Sequence, residues 1–273
     1  MKIKSKSAIA YIMRNFWQLV YVVLPVAVLM VFFANPDRET DFLYSLIFGQ
    51  LTFDNVFLLF NGSYTVLRFG KLWWVSAITF VVLAFTVSLL IAKISRHMRI
   101  GVMSALPFKR AFGIFPVTFA ALLVYFCITE ILMLLSVGTM YILRATNNVV
   151  LVSVVGVAVS FVVRLIVTWV FMLLILAFPL KYSENYHFNV GLAYSARVMT
   201  KLPRQVWTIT LVYSIGRYVV MVCAYFARPY YLDIVLYALC YLFAIMYLTA
   251  FAYKVYHDVV GGERRDIAHT IFD

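Results

Sequence analysis

Six long apolar runs constrain the fold of this chain more than any other feature of its sequence. Each run reaches the roughly 20 residues that a helix needs to cross about 30 Å of hydrocarbon. The runs do not alternate with period two, as barrel strands do, and an open sheet leaves its edges unsatisfied in lipid. We therefore predict an all-α, polytopic membrane helix bundle with six transmembrane helices. These spans cover residues 16–34, 72–94, 112–143, 149–180, 206–227 and 232–253.

The composition is that of a membrane protein. Of 273 residues, 65% are hydrophobic and only 12% are charged, against about 25% charged residues in an average soluble domain. Cys127, Cys223 and Cys240 all lie within the predicted spans, so they indicate neither a disulfide framework nor a metal site. We expect a single integral membrane domain with no cofactor.

The basic residues are distributed unevenly between the loops. With the amino terminus in the cytoplasm, sixteen of the 23 Lys and Arg residues fall on cytoplasmic segments and five on outer ones. This bias follows the positive-inside rule, so we predict a multi-pass protein of the plasma (inner) membrane with both termini in the cytoplasm. The net charge of +12 is then typical of a protein that faces anionic lipid headgroups, and it does not indicate a nucleic-acid partner.

An internal repeat organises the chain. Arg14, Arg110 and Arg204 each come shortly before the apolar or aromatic residues that open a span, and each is followed by two spans. The simplest plan is three repeats of an elbow plus a helical hairpin. The elbows cover residues 1–15, 96–111 and 189–205.

The third elbow has an amphipathic pattern. Leu192, Ala196 and Met199 recur at helical spacing, and basic residues form a second stripe. Such a helix lies in the membrane interface with its basic face towards lipid phosphates. Ordinary positive-inside loops with chance periodicity are the alternative. The predicted contacts to lipid headgroups are Arg14, Arg110, Arg197, Lys201 and Arg204.

A short motif at the start of two hairpins, a basic residue followed by aromatic residues, resembles a known family. The motif reads RNFW over residues 14–17 and RQVW over residues 204–207. The chain resembles bacterial six-helix membrane proteins of unassigned function that are related to the membrane domain of glycerophosphodiester phosphodiesterases. It departs from them in its long, apolar first outer loop. The resemblance implies a fold and a membrane location, and it supplies no catalytic residue.

The first outer loop, residues 36–71, is too long for a simple connector and too apolar for a solvated one. Its two apolar runs, 41–53 and 56–69, are each shorter than a full span. A re-entrant hairpin, a pair of surface helices and a strand pair are open alternatives. We favour a cap that covers the outer surface.

Three ionisable residues, Glu130, Arg164 and Arg217, lie deep in the predicted spans. A charge at the bilayer centre costs at least about 2.5–3.5 kcal/mol, so each is a functional candidate that needs a partner. The third and fourth spans form a tight hairpin, which brings Glu130 and Arg164 to depths that differ by only about 3 Å. We therefore predict an ion pair between these two side chains.

Arg164 belongs to a stripe of small and hydroxyl residues, and Arg217 lies on a similar stripe. Such stripes form close helix contacts in membranes, so both arginines are expected to face the bundle interior. Two arginines with one acid leave a positive charge, which either binds an anion or is satisfied by helix carbonyls. The candidate intramembrane polar cluster consists of Glu130, Arg164, Arg217, Ser160, Thr168 and Ser214.

The sequence contains no GxSxG, P-loop, GxGxxG or HExxH motif and no pair of carboxylates placed for acid–base catalysis. We therefore expect a non-enzymatic component that supports a membrane-protein complex or an envelope process. Its expected partners are another membrane protein and anionic lipid headgroups. The alternative is a small transporter that uses the polar cluster as an anion or proton-coupled site. An intramembrane lipid enzyme is a third, weaker interpretation.

Overall fold

The structure is a computed structural model of the chain, and it describes residues 6–34, 52, 73–101, 103, 106–184, 187–201, 203–227 and 232–260. Every regular element in these ranges is an α-helix. The helices of the described ranges are α1 Lys6–Arg14, α2 Phe16–Ala34, α3 Trp73–Ile100, α4 Phe108–Arg144, α5 Val149–Glu184, α6 Phe188–Lys201, α7 Pro203–Ala227 and α8 Leu232–Val260. The predicted cap over 36–71 lies outside the described residues, apart from Thr52.

Five helices of the described part, α3, α4, α5, α7 and α8, are each long and apolar enough to cross a membrane. The pair α1 and α2 adds a sixth crossing when it is taken as one bent span. The chain is therefore a multi-pass membrane helix bundle. At 1.5 Å per residue, the 37 residues of α4 and the 36 residues of α5 are each about 55 Å long, so these helices extend beyond about 30 Å of hydrocarbon.

A sharp elbow joins α1 to α2. The two helices are bent by 92° around Asn15, whose side-chain amide donates to the carbonyl oxygen of Tyr11 at 2.9 Å. Such side-chain bonds compete with the regular helix ladder. α1 packs against α8, and it buries Ala8, Tyr11 and Ile12 while it exposes Ile9.

The described residues of the second repeat form no separate elbow helix. α3 continues to Ile100, because Ile94 and Met98 are still buried against the bundle. It ends where Gly101 adopts a positive φ of 82°, the conformation of many residues that follow a helix. α4 begins at Phe108. The residues 96–111, which we expected to form an elbow, are therefore divided between two long helices and the short break between them.

Three helix pairs, α2 with α3, α4 with α5 and α7 with α8, pack as the predicted hairpins. The turn between α4 and α5 shows how such a hairpin is closed. Asn147 has a positive φ of 53°, which asparagine tolerates better than most residues. Asn148 then caps α5, because its Oδ1 atom accepts the backbone N–H of Leu151 at 3.0 Å.

α3 and α8 form the centre of the bundle. α8 contacts α1, α2, α3, α5 and α7, and α3 contacts α2, α4, α5 and α8. In the most apolar stretch of each helix, more than half of the residues of α3 and α8 are buried, against about a third in α4 and α5 and a quarter in α7. The exposed surface of these three helices is the one that lipid or a partner in the membrane can cover.

Candidate functional site

Arg164 lies inside the bundle and faces α7. Its side chain is only 3% exposed, and its guanidinium carbon lies 4.7 Å from the centre of the Tyr218 ring. The Tyr218 hydroxyl in turn lies 3.1 Å from Oγ of Ser160. The Thr168 hydroxyl donates to the carbonyl oxygen of Arg164 at 2.8 Å. The stripe of α5 that carries Arg164 is therefore an interface with α7 that contains a cation–π contact.

The predicted ion pair between Glu130 and Arg164 is not formed. Oε1 of Glu130 is buried and has no hydrogen-bond partner among the described residues, and the structure records no contact between the two side chains. Two residues at the same depth in the membrane can still point in different directions around the axes of their helices. The α5 stripe contacts Tyr218 on α7, and Oε1 of Glu130 accepts no hydrogen bond from it.

The remaining members of the predicted cluster lie on α7. Ser214 is buried, and its hydroxyl has no hydrogen-bond partner among the described residues. The backbone of Arg217 belongs to α7, but its side chain lies outside the described part of the structure. The structure thus joins Arg164, Ser160 and Thr168 in one interface and does not add Glu130 to it.

Two buried lysines lie at the end of the bundle where α1 and α6 are found, which we call the elbow end. Lys93 on α3 is 2% exposed; its ammonium group donates to the hydroxyl of Tyr21 and lies 4.4 Å from the centre of that ring. Lys254 on α8 is also buried, and its ammonium nitrogen lies 3.6 Å from a carboxylate oxygen of Asp258. The sequence analysis predicted no role for either lysine. The available signal was a single positive charge within an otherwise apolar helical segment.

The five predicted headgroup contacts are not gathered at one place. Arg14, Arg197, Lys201 and Arg204 are exposed at the elbow end, on three different helices. Arg110 is instead half-buried, and its Nη2 atom lies 3.4 Å from Oγ of Ser95 and 3.3 Å from the carbonyl oxygen of Tyr182. Arg110 therefore joins the first turn of α4 to α3 and α5.

α6 is held against α5 by one face. The buried residues of this face are Gly191, Ser195, Val198 and Met199. An added Cβ atom on Gly191 would lie 2.8 Å from the carbonyl oxygen of Ala177, so only glycine allows this approach. The buried stripe differs from the predicted one, since Ala196 is exposed and Leu192 is only partly buried. Burial in this contact also raises the pKa of the Tyr194 hydroxyl.

The described residues include no group of three or more His, Cys, Asp or Glu side chains that could hold a metal ion. Comparison of the chain with protein-family models, with curated proteins and with solved structures finds no match. The function of the chain is therefore inferred from its own geometry.

Proposed function

We propose that this chain is a non-enzymatic, multi-pass component of the plasma (inner) membrane that supports another membrane protein or an envelope process. Both termini lie in the cytoplasm in this proposal. Anionic lipid headgroups contact the exposed basic residues of the elbow end, namely Arg14, Arg197, Lys201 and Arg204.

The environment of Arg164 is the observation that supports this proposal most. A transporter needs a hydrated path to its charged residue, whereas a support protein uses a buried arginine to join helices. Arg164 is almost fully buried against the Tyr218 ring, and the neighbouring Thr168 hydroxyl is used by the carbonyl oxygen of Arg164 itself. The cation therefore contributes to helix packing between α5 and α7.

The apolar surface of α4 and α5 provides room for a partner. Leu134 and Leu135 on α4 and Val150 and Val154 on α5 are exposed near the hairpin turn. In a bilayer this surface contacts lipid chains or the spans of another protein, and either contact keeps its apolar side chains away from water. A partner that spans the membrane is therefore compatible with the exposed face of the bundle.

Isolation of the full chain from its native membrane, in particles that retain lipid, tests the proposal. One membrane protein should co-purify in a near-stoichiometric amount. Liposomes that contain the purified chain should show no protein-dependent flux of phosphate, carboxylates or protons. Recovery of the chain without any such partner, together with a flux that Arg164→Gln abolishes, would overturn the proposal.

A proton-coupled transporter is the second candidate, because Oε1 of Glu130 is buried without a hydrogen-bond partner among the described residues. An intramembrane carboxyl group of this kind can bind and release a proton. In liposomes with an imposed pH gradient, this candidate requires proton uptake that Glu130→Gln removes. If the parent protein transports no protons, the candidate fails.

A further inference from the structure

The ends of α3 and α4 meet at the elbow end and bring several positive groups together. Arg110, in the first turn of α4, contacts Ser95 on α3. Arg96 and Arg99 are exposed on the last turns of α3, and both lie close enough to repel Arg110. We call Ser95, Arg96, Arg99, Arg110 and Tyr253 the α3–α4 junction.

Among the described residues, no acid balances the charge of the α3–α4 junction. Arg96 and Arg99 act on Arg110 by repulsion, and no described carboxylate attracts it. The described acid nearest to the end of α8, Asp258, lies beside Lys254. Three guanidinium groups at such a place favour a bound anion, because arginine donors match phosphate and carboxylate oxygens.

A buried hydroxyl at the junction has an unused donor. Tyr253 on α8 is 1% exposed, and its hydroxyl has no hydrogen-bond partner among the described residues. Its polar neighbours are Ser95, which interacts with it as a hydrogen-bonding side chain, and Arg110, which acts through its charge. Neither group meets the distance and angle of a formed hydrogen bond to the hydroxyl. A buried hydroxyl without a partner is unfavourable, so a ligand oxygen that accepts its proton is favoured.

The beginning of α4 adds donors of a different kind. Its N-cap residue is Pro107, which provides no side-chain cap. The first backbone N–H groups of a helix lack partners within the helix, and they attract anions at its positive end. Phosphate groups are common ligands of such ends. Binding of an anion such as phosphate is therefore favoured by the uncapped first turn, by the three arginines and by the Tyr253 hydroxyl.

We propose that the α3–α4 junction binds a phosphate group, carried by an anionic lipid headgroup or free in the cytoplasm. The anion approaches from the exposed side, where Arg96 and Arg99 lie. Arg110 binds it with charge-assisted hydrogen bonds, and the Tyr253 hydroxyl donates to it from the buried side. This site goes beyond the proposed supporting function and depends only on the membrane location of the chain, so it can fail while a protein partner is still found.

Four variants of the full chain test the site. Arg110→Gln removes the central guanidinium group, and Tyr253→Phe removes only the hydroxyl while it keeps the ring. Arg96→Gln with Arg99→Gln removes the exposed charges. Arg144→Gln is the matched control, since Arg144 is an exposed arginine in the last turn of α4, at the other end of the helix that carries Arg110.

Thermal unfolding midpoints are measured in phosphatidylcholine nanodiscs, with and without phosphatidylglycerol, and separately with inorganic phosphate added. Phosphatidylglycerol or phosphate should raise the midpoint of the parent and of Arg144→Gln in a saturable way. The apparent affinity should fall at least roughly tenfold in Arg110→Gln, because a hydrogen bond to a charged group contributes about 1.5–3 kcal/mol. Tyr253→Phe should keep or raise the midpoint in pure phosphatidylcholine, because it removes a buried hydroxyl without a partner, and it should bind several-fold more weakly.

The two ligand arms identify the source of the phosphate group. A response to phosphatidylglycerol but not to inorganic phosphate assigns a lipid headgroup, and a response to both assigns a phosphate site that free ions reach. Equal responses of the parent, Arg110→Gln and Tyr253→Phe would show general surface attraction and overturn the proposal. No response of the parent in either arm would overturn it as well. If Arg110→Gln does not fold, Tyr253→Phe and the Arg96/Arg99 double variant decide the outcome.

Discussion

Replacement of Gly191 by alanine is predicted to loosen the contact between α6 and α5. The added Cβ atom would lie 2.8 Å from the carbonyl oxygen of Ala177 and 3.4 Å from its Cβ atom. The first distance is about half an ångström shorter than an ordinary carbon–oxygen contact, so one helix must shift. Overpacking of this kind costs about 1–3 kcal/mol, and the better helix propensity of alanine offsets at most about 1 kcal/mol.

Gly113 on α4 provides the matched control. An added Cβ atom there meets nothing within 4 Å, so Gly113→Ala should only gain helix propensity. The thermal unfolding midpoint of Gly113→Ala should rise by up to about 4 °C, at roughly 2–4 °C per kcal/mol for a chain of this size. The midpoint of Gly191→Ala should lie about 2–12 °C below that of Gly113→Ala, because both variants gain helix propensity and only Gly191→Ala is overpacked. Hydrogen exchange should also speed up in α6 of Gly191→Ala. If Gly191→Ala is as stable as Gly113→Ala, the close contact of α6 with α5 is refuted.

Three further predictions concern the arginine interface and the orientation. Tyr218→Leu should lower the unfolding midpoint more than Tyr218→Phe, because only leucine removes the cation–π contact, worth up to about 2 kcal/mol when desolvated; equal losses would contradict that contact. The effects of Glu130→Gln and Arg164→Gln should add to within about 0.5 kcal/mol in a double-mutant cycle of unfolding free energies, since the two side chains do not meet. A larger coupling energy would show that the two side chains interact after all. In a cysteine-free background, a membrane-impermeant maleimide should label Asn147→Cys on intact cells and Arg197→Cys only after the cytoplasmic side is opened. The reverse pattern would contradict the proposed topology.

The existence of the long helices follows from local features of the sequence. The run from Val149 predicted a span, and α5 begins at that residue. The run from Leu232 likewise begins α8. Uninterrupted apolar length is sufficient here, because lipid offers no partners for unsatisfied backbone groups and a helix satisfies its own. The helix ends were less predictable: α3 continues past its apolar run because tertiary contacts bury Met98.

The inward face of Arg164 also follows from local features. Ser160 and Thr168 lie one turn away on either side, and all three side chains are buried. Periodicity relates residues to the axis of their own helix, however, and not to a particular neighbour. The choice of Tyr218 over Glu130 as the contact of Arg164 depends on how α5 is rotated against α4 and α7. That rotation is a property of the packed bundle.

Local patterns in the sequence are enough to predict a helical bundle in a membrane, the inward face of α5 and the places where basic charge concentrates. The packing of the bundle places α3 and α8 at the centre, lets Arg110 join three helices and brings Tyr253 near Arg110. This difference arises from the solvent. In lipid, outward faces are as apolar as inward ones, so hydrophobicity marks the spans but does not identify which of them form the core.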